Sequence, residues 1–172
     1  MTRLPWQTLT PPPEAASLRP TLVLLASEGR VIPERAVRLC ADIARPAGSR
    51  VKVLSIARIW GSAFGMPHPG LKPTKPEWQA QRDIVAAAIG ALKTQGIAAA
   101  GEVIGSRNAA ASIISAAKAA RAGAIVMAAD AEAHWALRGL LWTQLPYVIA
   151  RSSPIPVYLT TDRSVESLQA ES

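Results

Sequence analysis

Two stretches of this chain are apolar without alternation, Leu22–Ala26 and Ala124–Met127, and a shorter one follows Pro156. Uninterrupted apolar runs of this length predict strands buried on both faces, the mark of a parallel sheet covered by helices. Between the runs the apolar spacing changes to a helical one. Val37, Cys40, Ala41 and Ala44 form one inward stripe, and Ile113, Ile114, Ala117 and Ala120 form another. The segment from Gly105 to Met127 condenses the pattern. A glycine closes one run, an alanine-rich helix follows, Ala122-Gly123 stops it, and an apolar strand begins.

Punctuation completes the reading. Ser27-Glu28-Gly29-Arg30 is a turn, Pro33 suits a first helical turn, and Pro46 and Gly48 end that helix. Val51–Ala57 is a second strand. Trp60 to Lys75 is a long connection rich in glycine and proline, and connections of that size are usually functional or mobile. Thr74 and Glu77 have the spacing of a capping box ahead of a helix over Trp78–Gln95. Ile97–Val103 is a weaker strand, poor in branched residues, expected at an edge. A helix over Ala109–Arg121, the strand Ala124–Ala128, a helix over Trp142–Ala150 and the strand Pro156–Thr160 finish the chain. Pro154 and Pro156 confine that last strand to an edge. The expected fold is α/β: a doubly wound five-stranded parallel sheet, order 3-2-1-4-5, with helices on both faces and the C-terminal strand at an edge. Right-handed crossovers then open a ligand crevice between the first and fourth strands. Residues 1–20 read as a proline-rich tail, 21–160 as the domain and 161–172 as a C-terminal tail.

Composition agrees with one aliphatic, alanine-lined core: 49% of the 172 residues are hydrophobic and 18% charged, with few aromatics. No run approaches the ~20 apolar residues of a membrane helix. The N-terminus lacks an apolar signal core, and a lone cysteine, Cys40, forms no internal disulfide, so the cytoplasm is expected. The net charge of +7 concentrates between Arg30 and Arg58. Such a face suits an anionic partner, or it is a solvated helix face with the i,i+4 pairs Glu34/Arg38 and Arg38/Asp42. No aromatic residues interleave it, which argues against nucleic acid.

Candidate chemistry is sparse. No Gly-Lys pair exists for a phosphate loop of the Walker type. His68, His134 and Cys40 are too scattered for a metal site, and Cys40 falls on a helix's apolar stripe. Ser27 with His134 as its base has no evident acid to orient the imidazole. Trp135 and Trp142 flank the segment where the crevice opens. They are either a patch for a protein partner or caps on a core short of aromatics.

With Gly105, the Ala122-Gly123-Ala124-Ile125-Val126-Met127 run and Pro156-Val157 in this order, the chain resembles the universal stress protein family over Thr21–Thr160. The spacing of Leu145, Val148 and Ile149 before Pro156 fits the family's final helix. ATP-binding members carry an aspartate after the first strand. They also carry a G-two-residues-G-nine-residues-G-Ser/Thr pattern after the fourth. Glycines there let the backbone approach phosphates, which meet exposed N–H groups and a helix N-terminus. In this chain the resemblance places Ser27 at the aspartate. It places Ala128, Ala131, Thr143 and Gln144 at the pattern, the last pair two residues too far along, so the motif is degenerate. A methyl group at each alanine occupies phosphate space, and Asp130 and Glu132 add repulsion. Lys118 and Arg138 could supply positive charge, Thr143 could still cap the last helix, and Gly139 is out of position for the motif. In relatives the last strand pairs with its symmetry mate, which implies a homodimer through Pro156, Val157, Tyr158, Leu159 and Thr160.

The expectation is therefore a non-enzymatic stress-response protein of bacterial type, homodimeric, without a cofactor. Alternatives are a regulator that binds ATP or AMP weakly in the same crevice, and a basic adaptor.

Overall fold

The computed structural model describes residues 20–59, 72–129, 145–161 and 165–168. Strand β1 (Leu22–Ser27) is followed by helix α1 (Glu34–Ala44), β2 (Arg50–Arg58), α2 (Lys75–Thr94) and β3 (Ala99–Ser106). Helix α3 (Ala109–Ala119), β4 (Ala124–Ala128), α4 (Leu145–Ser152), β5 (Val157–Thr160) and β6 (Val165–Leu168) complete the chain. The sheet order is β3-β2-β1-β4-β5-β6, parallel throughout β1 to β5. The five parallel strands thus take the expected order.

Because alternate strand residues face opposite sides, the sheet divides the interior in two. Leu24, Leu54, Ile56, Ile125, Met127 and Leu159 pack under α3 and α4 with Ile113 and Ile149. Val23, Leu25, Val51, Val53 and Val126 pack under α1 and α2 with Val37, Cys40, Val85 and Leu92. Burial pushes the Cys40 thiol up to about 12, which makes it a small hydrophobe at neutral pH.

Helix ends follow their sequence signals. The N–H of Glu77 donates to Thr74 Oγ1 at 3.4 Å, and the N–H of Thr74 donates to a Glu77 carboxylate oxygen at 2.6 Å, closing the capping box. Those bonds hold the Glu77 carboxyl below its ordinary 4.5. A depressed carboxyl pKa stabilises the fold above the unfolded-state pKa, and the benefit disappears as pH falls through the folded one. Glu77→Gln is expected to remove that part of the acid sensitivity. Thr74→Ala is expected to cost about 1 kcal/mol. Urea unfolding at neutral pH and below pH 4.5 checks both.

Three expectations change. Strand β3 lies at an edge, as read, but runs Ala99–Ser106 rather than Ile97–Val103. Ile97 instead follows the αL turn at Gly96 and is buried under α2. The final parallel strand is not an edge: β6 pairs antiparallel with β5, Val157 opposite Leu168 and Thr160 opposite Val165. Residues 161–172 are therefore not wholly a tail.

Candidate functional site

Strand β1 ends at the point where the chain order reverses, between β2 on one side and β4 on the other. Open parallel sheets present a crevice there because the connections leave in opposite directions. The turn after β1 forms one wall, Ile32, Pro33 and Arg35 at the start of α1 form another, and Ala128 of β4 closes the far side. As bounded by the described residues, the cavity holds about 210 Å³. Ser27 and Ala128, placed at this site by the sequence, are brought together at it. Ala131, Thr143 and Gln144 lie outside the described residues, as do His134, Trp135, Trp142 and Arg138. Lys118 is exposed in the last turn of α3 and is not among the lining residues.

The turn is held by its own polar groups. Ser27 is 4% exposed; its hydroxyl donates to the Arg30 carbonyl at 2.5 Å and accepts the Gly29 N–H at 3.2 Å. A hydroxyl spent this way closes an ST-turn. Glu28, 5% exposed, accepts from Arg30 Nε at 2.7 Å and forms an ion pair with the same guanidinium. The Arg58 Nε–H of β2 donates to the Glu28 carbonyl at 3.1 Å. Gln81 of α2 fastens the turn from above. Its amide Nε2 donates to the Gly29 carbonyl at 3.0 Å, and its Oε1 accepts from the fully buried Ser55 hydroxyl at 2.6 Å. Gly29 takes φ +107°, and a Cβ there would lie 2.8 Å from the Ile56 carbonyl oxygen.

Sequence reasoning missed Glu28, Arg30, Arg58 and Gln81 as parts of this site. Gln81 left a signal: it sits one turn before Val85 on the stripe Val85, Ala88 and Leu92, so a polar residue occupies an inward position. Buried polar side chains are paired, and a partner on the neighbouring strand could have been sought. Of the basic face, Arg38 pairs with Glu34, Asp42 pairs with Arg45 rather than with Arg38, and Lys52 pairs with Glu102.

At the predicted dimer strand, Val157, Leu159 and Thr160 are buried within their own chain, and the outer backbone of β5 faces β6. The edge expected to be free is occupied. Among the described residues, no helix is long and apolar enough to cross a membrane, and no group of three metal-ligating side chains occurs.

A doubly wound sheet with its crevice at the β1/β4 reversal belongs to the class of Rossmann-like α/β domains. Within that class, the sequence model of the Universal stress protein family matches residues 20–161, and the chain belongs to this family. A family protein from Burkholderia pseudomallei is 18% identical, with 84% of this chain and 97% of that one covered and a TM-score of 0.61. The universal stress protein from Archaeoglobus fulgidus is 15% identical, over 85% of this chain and 93% of that one, with a TM-score of 0.64. A structure of an Archaeoglobus fulgidus universal stress protein in complex with dAMP is 15% identical, over 84% and 96%, with a TM-score of 0.59. At these identities the likeness is one of fold. No curated protein sequence matches the chain.

Proposed function

We propose that the chain is a cytoplasmic, non-enzymatic universal-stress-type protein of a bacterial stress response. It acts by associating with a second copy and with other proteins, and its crevice is no longer an ATP site and takes no cofactor. The observation that carries this reading is the β1 turn. Where ATP-binding relatives have an aspartate, Ser27 spends its hydroxyl on the turn's own backbone. Beside it a nearly buried carboxylate, Glu28, meets the crevice, and Ala128 puts a methyl group on the opposite wall. A polyanion entering there meets an ion-paired carboxylate and an alanine side chain, with Arg30 and Arg35 on the same walls, instead of a glycine-lined row of bare N–H groups.

Thermal unfolding with millimolar ATP and Mg²⁺ tests the reading. A ligand at 100 times its Kd adds about 2.7 kcal/mol by linkage. For a chain of this size that raises Tm by roughly 5–10 °C. The expected shift is none. A rise of several degrees favours the alternative, an adenine-nucleotide regulator, for which the dAMP complex of a similarly folded protein speaks. AMP and dAMP should be run beside ATP, since loss of phosphate contacts would spare the smaller nucleotides.

The second alternative, a basic adaptor, is weakened by the pairing of Arg38, Arg45 and Lys52 with acids. Homodimerisation through Pro156–Thr160 would require β6 to leave β5, which counts against that strand as the dimer edge. A protein partner at Trp135 and Trp142 remains part of the proposal.

A further inference from the structure

In a parallel sheet every strand starts, and every crossover helix ends, on the same side, here the side opposite the crevice. That end collects cations. Arg50 opens β2, Lys93, Lys118 and Arg151 fall in the last turns of α2, α3 and α4, and Arg121 follows α3. All five are exposed, and among the described residues none forms an ion pair. The acids described at this end, Asp42 and Glu102, are taken by Arg45 and Lys52. At the crevice end the positive charge is spent internally, Arg30 on the Glu28 carboxylate and Arg58 on the Glu28 carbonyl. Helix dipoles favour cations in last turns. They account neither for Arg50 nor for Arg121 at φ +53°, in a left-handed turn where glycine would sit without strain.

Among these cations one face of the sheet is bare. Helix α3 packs over Ile56 and Ile104 and leaves the starts of β2 and β3 uncovered on the same face, so that Ala100 and Glu102 are exposed. A groove of about 440 Å³ lies there. Leu22, Ala98 and Ala100 give it an apolar lining, and Arg50 and the Lys52–Glu102 ion pair, 2.8 Å long, give it a polar one. The Gly123 N–H donates to the Leu22 carbonyl at 2.9 Å, which brings the end of α3, with Lys118 and Arg121, to the rim.

We propose that this groove binds an acidic segment of a partner protein, whose carboxylates meet Arg50, Lys118 and Arg121 and whose apolar side chains lie on Leu22 and Ala100. Charge complementarity selects the occupant. A second copy would bring the same cations against these, and residues 1–19, with Arg3 and Arg19 against Glu14, are themselves basic. Nucleic acid has no aliphatic side chains to fill the apolar floor, and among the described residues no aromatic one lines the groove for bases to stack on. The inference rests on the reading of the chain as an association module and supplies the chemistry of its partner.

Fluorescence anisotropy of a labelled Glu-Leu repeat peptide, titrated with the full chain, tests it. A Lys-Leu repeat, duplex DNA and phosphatidylserine vesicles are the comparison probes. The expected result is saturable binding of the Glu-Leu peptide that weakens as salt rises, and none of the Lys-Leu peptide. Arg50→Glu and Ala100→Glu each set a carboxylate against the peptide's own and are expected to weaken binding at least ~10-fold. Arg121→Gly removes a charge and relieves the left-handed turn. It is expected to weaken binding about 5-fold while Tm holds or rises, a split that a purely structural role would not give. Arg38→Gln, on α1 across the sheet, is expected to change nothing, and circular dichroism confirms folding of every variant. Equal binding by all variants, or no saturable binding of the peptide, overturns the groove and leaves the association reading standing. Tighter binding of DNA or of vesicles than of the peptide overturns the acidic protein segment as occupant. A rise in Tm with ATP overturns the association reading without touching the groove.

Discussion

Gly29→Ala is expected to lower the unfolding free energy by about 2–4 kcal/mol. Two costs combine. At φ +107° the backbone lies in a region that L side chains rarely adopt. The new Cβ would also sit 2.8 Å from the Ile56 carbonyl oxygen, which is β2 backbone and cannot swing aside as a side chain could. Gly48→Ala separates the terms. Gly48 ends the turn after α1 at φ +60°, but a Cβ there meets nothing within 4 Å. It is expected to cost only about 1 kcal/mol, the conformational part alone. Urea unfolding of both variants beside the unmodified protein gives the comparison. Equal losses at the two positions would mean that the β1 turn is not pressed against β2. The rigidity of the crevice wall would then have to come from elsewhere.

That turn shows where sequence reading stopped. Its existence was plain from Ser-Glu-Gly-Arg after an apolar run, and Ser27 and Ala128, expected at the crevice, line one cavity. What the hydroxyl does was not legible, because its acceptor is a backbone carbonyl three residues on. The glutamine that braces the turn lies more than fifty residues away, and only folding brings α2 over β1 and β2. The sheet order was legible for a physical reason. Leu22–Ala26 and Ala124–Met127 are apolar on both faces, so they must lie between other strands. The ends of the sheet were harder. In β3, alanine, glycine and a glutamate carry little strand preference, and pairing with β2 fixes the register instead. In β6, Val165 and Leu168 flank Glu166 and Ser167, too short a pattern to separate from a tail. Missing β6 had a functional consequence. It made β5 look like the free edge, whereas β6 pairs along it within the chain.

The two-layer core makes a second prediction whose size approaches the whole stability of a domain. Leu24 and Leu25 are adjacent in sequence and both fully buried, yet they belong to separate clusters that share no member. Leu24→Ala opens a cavity under α3 and α4, beside Ile113 and Ile125; Leu25→Ala opens one under α1 and α2, beside Val37 and Val126. Each is expected to cost about 2–5 kcal/mol. Ordinarily neighbours in the chain couple, because one cavity relaxes into the other. Here the β1 backbone, hydrogen-bonded to β2 and β4 on its two sides, stands between them as a wall. The costs should therefore add to within about 0.5 kcal/mol, as they do for distant sites. A sum of ~4–10 kcal/mol reaches the ~5–15 kcal/mol that holds a typical domain folded. Where the double variant does not fold at 25 °C, the cycle is repeated with Leu24→Val and Leu25→Val, whose smaller losses keep every species measurable. A coupling energy above about 1 kcal/mol would mean that β1 shifts as a unit when either side is emptied. Its C-terminal turn would shift with it, and the crevice could no longer be treated as a rigid site closed by its own side chains.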